Sequence, residues 1–171
     1  MNNYNIPFAK PILDDKEKNA TSKVLNGHIL THGPMCKNFE ASFGLFHNNI
    51  NAITLSNCTS AMFLALKALG INEGDEVIVP AMTHIATAHC VAHTGAKVVF
   101  SDIDSKTGNI DPEKILDKIN DNTKAIIVVH FVGLPADMSK ILSIIKGKNI
   151  SIIEDCAAAL GAIYNSKLVG T

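Results

Sequence analysis

The chain has 171 residues, of which 47% are hydrophobic and 18% are charged, and its formal net charge is -1 at pH 7. That much apolar material can form a core, and the charge density is too low for a disordered chain. With no basic excess, binding to a nucleic acid backbone or to an anionic membrane surface is disfavoured.

The four cysteines are spread along the sequence and form no C-x-x-C pair. This spacing disfavours a zinc knuckle and a small disulfide scaffold, and reduced thiols are the simplest interpretation. Residues 1–15 contain no apolar stretch behind a basic flank, and no later segment has the uninterrupted apolar length of a membrane span. We therefore expect a cytoplasmic protein with no membrane partner.

Two helices are predicted in the first third of the chain. Asp14 and Asp15 can cap a helix that stops at Gly27, a residue type favoured at helix C-termini. A second helix begins after Pro34. Its aromatic residues recur at helical spacing, so we expect them to point into the core: Phe39, Phe43 and Phe46.

From residue 52 onward, short apolar runs alternate with longer segments of helical periodicity. The predicted strands lie in AITLS, EVIVP, KVVFSDI, KAIIVVHFVG and ISIIED. Nearly continuous apolar strands in a β-α-β series are typical of a mostly parallel sheet covered by helices on both faces. We therefore predict an α/β fold.

Residues 161–171 have the pattern of a short hairpin with its turn at Asn165 and Ser166. A parallel sheet that ended on such a fragment would leave an edge and a core face uncovered, which folded proteins normally avoid. We therefore expect residues 1–171 to form a single, incomplete domain of a larger protein.

In open α/β sheets, ligands bind beyond the carboxyl ends of the strands, where loops and helix N-termini converge. This rule selects residues 56–60, 80–87, 129–133 and 154–159. The chain has no glycine-rich phosphate loop or dinucleotide fingerprint, which disfavours ATP or NAD as the ligand.

Thr59 and Ser60 lie at the start of a predicted helix, where free backbone N–H groups could hold a phosphate. Serine and threonine are also ordinary N-cap residues, and by sequence alone capping is the more common role. The segment by itself is therefore a weak indication of a phosphate site.

Asp155 ends an apolar strand and could bind a nitrogen-bound proton of a ligand. Glu154 should point to the opposite face of the sheet, because side chains alternate along a strand. Only one of these two carboxylates should therefore serve a site at this edge. Capping of the next turn, or pairing with a lysine, is the alternative for Asp155.

Three histidines raise the question of a metal site, because His89 and His93 share one face of a predicted helix. No carboxylate accompanies them at suitable spacing, so we predict no metal site and interpret them as solvated or locally bonded. His84 differs, because it precedes this helix in the loop that faces the expected ligand.

Asp102 and Asp104 imitate the metal-binding D-x-D sequence of nucleotide-sugar glycosyltransferases, which makes such an enzyme one alternative. Acidic turns after strands are common, however. The residues that follow look like a turn and the capped start of a helix. The turn interpretation is therefore favoured.

Taken in order, these segments resemble the DegT/DnrJ/StrS family of pyridoxal-phosphate-dependent sugar aminotransferases. The matching stretches are NGHILTHGP with CKNFE, SNCTSAMFLALKALGINEGDEVIVPAMTHIATA, GAKVVFSDID, NIDPEKI, TKAIIVVHFVGLPADM and IIEDCAAALGAIYNSKLVG. They cover nearly the whole chain in family order. The resemblance implies a fold-type I PLP-dependent transferase large domain, truncated before the small C-terminal domain.

The resemblance also implies cofactor-binding residues for pyridoxal 5'-phosphate (PLP). Thr59 and Ser60 match the residues that bind the cofactor phosphate, and His84 matches the position whose ring stacks on the pyridine. Asp155 matches the carboxylate that keeps the pyridine nitrogen protonated. The Schiff-base lysine of the family lies beyond Thr171, so we expect no catalytic residue in this chain and no activity from it alone.

The implied reaction is the transfer of an amino group from an amino acid, typically glutamate, to a nucleotide-linked keto-sugar in polysaccharide biosynthesis. The resemblance further implies a homodimer for the full-length protein. Two alternatives on the same scaffold are a PLP-dependent sugar dehydratase and a non-catalytic remnant. The dehydratase stays open because Ala158 stands where many relatives carry histidine or glutamine near the cofactor.

Overall fold

The computed structural model describes residues 10–171. Residues 1–9 lie outside that range. They make up most of the 1–15 segment in which the sequence shows no apolar stretch behind a basic flank. The chain divides into two compact units between Thr54 and Leu55. Within residues 10–171, no helix combines the length and the apolar character that crossing a membrane requires.

The first unit contains the two predicted helices. α1 (Asp15–Leu25) begins after Asp14, whose side chain accepts a backbone hydrogen bond from the first turn while Glu17 bonds back to the Asp14 amide. This capping box satisfies amides that have no partner within the helix. α2 (Pro34–Phe46) begins with a proline, which is favoured there because a first-turn N–H has no partner anyway.

The prediction that the α2 phenylalanines form core was wrong for two of them. Phe39 is 59% exposed and Phe46 is 53% exposed. Helical spacing places side chains on one face of a helix, but it does not specify what covers that face. Phe43, which is partly buried, stacks on the His47 ring with the centroids 4.6 Å apart.

The segment AITLS forms no strand, which corrects the sequence-based prediction. The backbone N–H and the hydroxyl of Thr54 both donate to the Glu40 carboxylate, at 2.8 and 2.7 Å. A strand needs a neighbouring strand for its backbone hydrogen bonds, and within residues 10–171 no strand pairs with this segment.

The second unit contains a four-stranded sheet that is wholly parallel. Its strands are β1 (Glu76–Pro80), β2 (Lys97–Ser101), β3 (Thr123–Val129) and β4 (Ser151–Asp155), in the spatial order β2-β1-β3-β4. The chain passes from β1 to β2 on one side and then to β3 on the other side of β1. Such a reversal creates a crevice at the carboxyl ends of the strands, where α/β sheets bind ligands.

Helices cover both faces of this sheet, as predicted. α3 (Cys58–Ala68) and α4 (Ala86–Ala92) contribute to the core on one face, which includes Val77, Val79, Ala125 and Ile127. α5 (Pro112–Leu116) and α6 (Met138–Ile145) contribute to the core on the other, which includes Ile78, Ile126 and Val128. Alternate strand residues therefore enter different cores, which explains the nearly continuous apolar sequence of the strands.

The predicted hairpin is formed by β5 (Ile163–Tyr164) and β6 (Lys167–Leu168). Asn165 and Ser166 both have positive φ, at 48° and 65°, as a two-residue hairpin turn of type I′ requires. The Tyr164 hydroxyl donates to Asp137 Oδ1 at 2.7 Å, which attaches the hairpin to the start of α6. A short 3-10 helix, Phe131–Gly133, follows β3.

We expect Leu66→Ala to lower the free energy of unfolding by about 2 to 5 kcal/mol, because the fully buried side chain leaves a cavity. Leu64→Ala is the matched control: it makes the same change in the same helix at a side chain that is 47% exposed. Its cost should be less than about 1 kcal/mol. Urea unfolding followed by circular dichroism measures both, and equal losses would contradict the burial difference.

A second prediction concerns Glu76, which begins β1 and binds Lys97 Nζ at 2.7 Å and Asn120 Nδ2 at 2.8 Å. These two hydrogen bonds hold the pKa of the Glu76 carboxyl below its usual value, against the opposing effect of burial. A lowered folded-state pKa stabilises the fold above the unfolded-state pKa of about 4.3, and the stabilisation is lost as pH falls through the folded-state value.

Glu76→Gln should therefore lose less stability than the wild-type chain between about pH 7 and about pH 3, in unfolding measurements across that range. Glu73→Gln, at an exposed glutamate three residues earlier, is the control and should follow the wild-type curve. The prediction fails if the two variants have the same pH dependence.

Candidate functional site

Asp155 lies at the carboxyl edge of the sheet and is 9% exposed. Its side chain points to the α3 and α4 face, because it is two residues beyond Ile153, which packs against that core. Oδ1 accepts hydrogen bonds from the Ala157 amide at 3.0 Å and from the Cys58 thiol at 3.8 Å. No donor within residues 10–171 reaches Oδ2, so the carboxylate combines the local capping contact with one oxygen available to a ligand.

The N-terminus of α3 lies beside Asp155, because its first residue, Cys58, donates the thiol hydrogen bond. The N-cap is Asn57, whose Oδ1 accepts from the Ser60 amide at 2.8 Å. Thr59 and Ser60 are therefore first-turn residues rather than the cap. Partial burial and the nearby Asp155 carboxylate raise the pKa of the Cys58 thiol, so the thiol stays protonated and can donate.

His84 lies in the loop between β1 and α4 and is exposed. Its Nδ1 accepts from the Ala86 amide at 3.1 Å, so a neutral ring carries its proton on Nε2. β3 separates β1 from β4, so their ends are roughly 10 Å apart at two strand spacings. Within the described range, no hydrogen bond joins His84 to Asp155 or to the start of α3.

Glu154 points to the opposite face from Asp155, as predicted, and there it contacts His130. His130 directly follows β3 and is fully buried. Its Nδ1 accepts from the Ala136 amide at 3.0 Å, so the ring proton lies on Nε2, which is 2.9 Å from Glu154 Oε2. The same oxygen accepts from the Gly170 amide at 2.9 Å.

From the sequence, residues 129–133 are expected to lie in a loop near the site, but the sequence assigns no role to His130. The available signal was a polar residue directly after an apolar strand. Its partners could not be identified, because Glu154 is 24 residues away and Gly170 lies 16 residues beyond Glu154.

His130, Glu154 and Cys156 place three potential metal-ligand atoms within 4.8 Å of one another. The proton on Nε2 blocks the ring nitrogen that would face an ion, and burial raises the pKa of the Cys156 thiol to about 12. Because metal ligands must be deprotonated, a hydrogen-bonded cluster describes this group better. His89 and His93, which prompted the metal question in the sequence, are exposed and belong to a different segment.

Asp102 and Asp104 bind the backbone next to them. Asp102 Oδ1 accepts from the Ile103 amide at 2.8 Å, and Asp104 Oδ1 accepts from the Lys106 amide at 2.7 Å. Contacts of this kind are typical of acidic turns. The structure therefore supports the turn interpretation over a metal-binding D-x-D sequence.

Comparison with known proteins gives a family match over residues 11–171, to the model described as the DegT/DnrJ/EryC1/StrS aminotransferase family. The chain is 43% identical to GDP-perosamine synthase of Escherichia coli O157:H7, over 97% of the chain and 46% of that protein. It is 38% identical to the spore coat polysaccharide biosynthesis protein SpsC of Bacillus subtilis, over 99% of the chain and 43% of that protein.

Among solved structures, the chain is similar to E. coli GDP-4-keto-6-deoxy-D-mannose-3-dehydratase with bound hydrated PLP. The TM-score is 0.92 at 35% identity, over 98% of this chain and 44% of the other. The chain therefore spans less than half the length of each of these proteins. The similarity in structure confirms the predicted α/β fold class. Because the family model matches residues 11–171, the chain belongs to the DegT/DnrJ/EryC1/StrS aminotransferase family.

Proposed function

We propose that the full-length protein containing this chain is a PLP-dependent sugar aminotransferase. It moves an amino group from an amino acid, typically glutamate, to a nucleotide-linked keto-sugar in polysaccharide biosynthesis. The observation that carries the proposal is Asp155, a buried carboxylate at the ligand-binding edge of the sheet whose Oδ2 has no donor within the described residues. Family membership and the similarity to GDP-perosamine synthase support this reaction class, and the similarity to SpsC supports a role in polysaccharide biosynthesis.

The donor set around Asp155 fits PLP. A carboxylate oxygen without a protein donor can accept the proton of a pyridinium nitrogen, and its negative charge favours the protonated ring. Bound PLP supplies an electron sink for the carbanion that forms when an amino acid loses its α-proton. The Ala157 amide and the Cys58 thiol hold Oδ1, so the contribution of the chain is to orient Oδ2.

The start of α3 supplies the proposed phosphate contacts. Its 11 residues make it long enough for a helix dipole, which favours an anion at the N-terminus. The Ser60 amide is already bound by Asn57, so we assign the phosphate to the Thr59 amide and to the hydroxyls of Thr59 and Ser60. His84 is assigned to stacking on the pyridine face, with its ring held at Nδ1 by the Ala86 amide.

Further parts of the proposal rest on the family. The Schiff-base lysine is assigned to the part of the protein beyond Thr171, so this chain alone should not catalyse the transfer. The full-length protein is proposed to be a cytoplasmic homodimer. The four cysteines form no disulfide, in agreement with a reducing compartment.

A dehydratase of the same family is the second candidate, favoured by the similarity to the E. coli dehydratase. Ala158 offers no polar side chain at the position where the family resemblance implies histidine or glutamine. Both candidates use the same cofactor and the same Asp155, so the products of the reaction must separate them.

We expect Asp155→Asn in the full-length protein to weaken PLP binding by about tenfold to a hundredfold. A hydrogen bond to a charged group contributes roughly 1.5 to 3 kcal/mol, and the amide keeps the shape but loses the charge. Titration of the apoprotein with PLP, followed by the absorbance of the bound cofactor, measures the affinity. Asp102→Asn is the control, because within residues 10–171 the Asp102 side chain bonds only to the adjacent Ile103 amide. Unchanged affinity in Asp155→Asn would remove Asp155 from the site.

We also expect the full-length protein, supplied with PLP, glutamate and a nucleotide-linked keto-sugar, to release an amino sugar and 2-oxoglutarate in equal amounts. A deoxy keto-sugar with release of ammonia from the cofactor would indicate the dehydratase instead. Mass spectrometry of the nucleotide-sugar product separates these outcomes, because only the amino sugar incorporates nitrogen from labelled glutamate. The 171-residue chain tested in parallel should give neither product.

A further inference from the structure

The end of β4 is held from both faces of the sheet. On the α3 face, the Asp155 side chain receives the two Oδ1 hydrogen bonds described above. On the opposite face, Glu154 Oε2 receives two more, from His130 Nε2 and from the Gly170 amide, each at 2.9 Å. The proposed reaction uses only the first of these carboxylates, so the second requires its own explanation.

His130 contacts both residues of this strand end. Its backbone N–H donates to the Asp155 carbonyl at 3.2 Å, and its ring donates to Glu154. The other ring nitrogen accepts from the Ala136 amide, so both nitrogens of a fully buried ring are satisfied. Any displacement of His130 would leave a buried polar group without a partner, which is costly. The ring is therefore a rigid support for the end of β4.

Glu154 is a strong acceptor at this position. Burial raises the pKa of its carboxyl, but the hydrogen bonds from His130 and Gly170 outweigh burial and lower the pKa below its usual value. The group is therefore ionised at neutral pH, and hydrogen bonds to an ionised acceptor are stronger than neutral ones.

Gly170 has the backbone conformation and the close packing that go with its hydrogen bond to Glu154. Its φ is +80°, a conformation that favours glycine, and a Cβ at this position would lie 3.0 Å from Cys156 Sγ. The close backbone approach brings the segment after the hairpin to the same carboxylate oxygen that His130 binds. Glu154 thus joins three separate segments at one atom.

We propose that His130 and Glu154 are positioning residues that set the direction in which Asp155 presents its free carboxylate oxygen to the cofactor. Adjacent strand residues point to opposite faces, so a rotation of the backbone that releases Glu154 also turns Asp155. Misplacement of a reacting or binding group by about 1 Å can reduce activity by roughly a hundredfold. The inference rests on the proposed function of Asp155.

The test uses PLP binding to the full-length apoprotein, measured by titration. Glu154→Ala should weaken binding by about tenfold or more, the lower end of the loss seen when groups behind a ligating side chain are removed. Glu154→Gln should stay within about threefold of wild type, because one amide oxygen can accept both hydrogen bonds that now meet at Oε2. The aspartate side chain of Glu154→Asp is too short to reach both donors, so this variant should behave like Glu154→Ala. It provides the test if the alanine variant does not fold.

Tyr164→Phe is the matched control for loss of stability. It removes the 2.7 Å hydrogen bond to Asp137 and the 3.4 Å hydrogen bond from the Ser139 amide, and within residues 10–171 no hydrogen bond joins the Tyr164 hydroxyl to the end of β4. Unfolding measurements should show a loss of stability in this variant, with PLP affinity unchanged. If PLP affinity falls in proportion to stability in Tyr164→Phe as well, the role of Glu154 is only structural and the inference is overturned.

Asp155→Asn in the same experiment separates this inference from the proposed function. Weak binding in Asp155→Asn with full binding in Glu154→Ala and Glu154→Asp would overturn the positioning role and leave the proposed function intact. Full binding in Asp155→Asn would overturn both. Weak binding in Asp155→Asn, Glu154→Ala and Glu154→Asp, with affinity restored in Glu154→Gln, is the expected result.

Discussion

β4 pairs with β3 in a parallel register that sets Val129 opposite Asp155 and Val128 opposite Glu154. This pairing fixes which face each carboxylate occupies, because side chains alternate strictly along a strand. A shift by one residue would exchange Asp155 and Glu154 and would also move the apolar residues of β4 into the wrong cores. The burial of the strand therefore enforces the geometry of the candidate site.

The candidate site combines parts with different physical origins. The helix dipole of α3 and its unpaired first-turn groups come from local structure and depend little on the rest of the chain. The direction of the Asp155 carboxylate depends on hydrogen bonds from Cys58 and Ala157 and, through the backbone, from His130. Local sequence can place a residue at an edge of a sheet, but tertiary contacts orient its side chain.

The two carboxylates at the end of β4 have separate roles for a simple electrostatic reason. Two adjacent negative charges on one face would repel each other, whereas alternation sends them to opposite sides of the sheet. Glu154 then uses backbone and histidine donors to stay charged in a partly buried position. Asp155 keeps one oxygen for a ligand, which is the property that a cofactor-binding carboxylate needs.

The parallel α/β fold, both helices of the first unit, the hairpin turn and the opposite directions of Glu154 and Asp155 could be predicted from the sequence, because periodicity, capping and turn preferences are local. The sequence did not determine the exposure of Phe39 and Phe46, or the irregular path of residues 52–56, where Glu40 takes the place of a neighbouring strand. These features became visible only in the folded chain, as did the contacts of His130 with Glu154 and Ala136 and the contact of Gly170 with Glu154. Such features depend on which distant residues meet, and no local pattern contains that information.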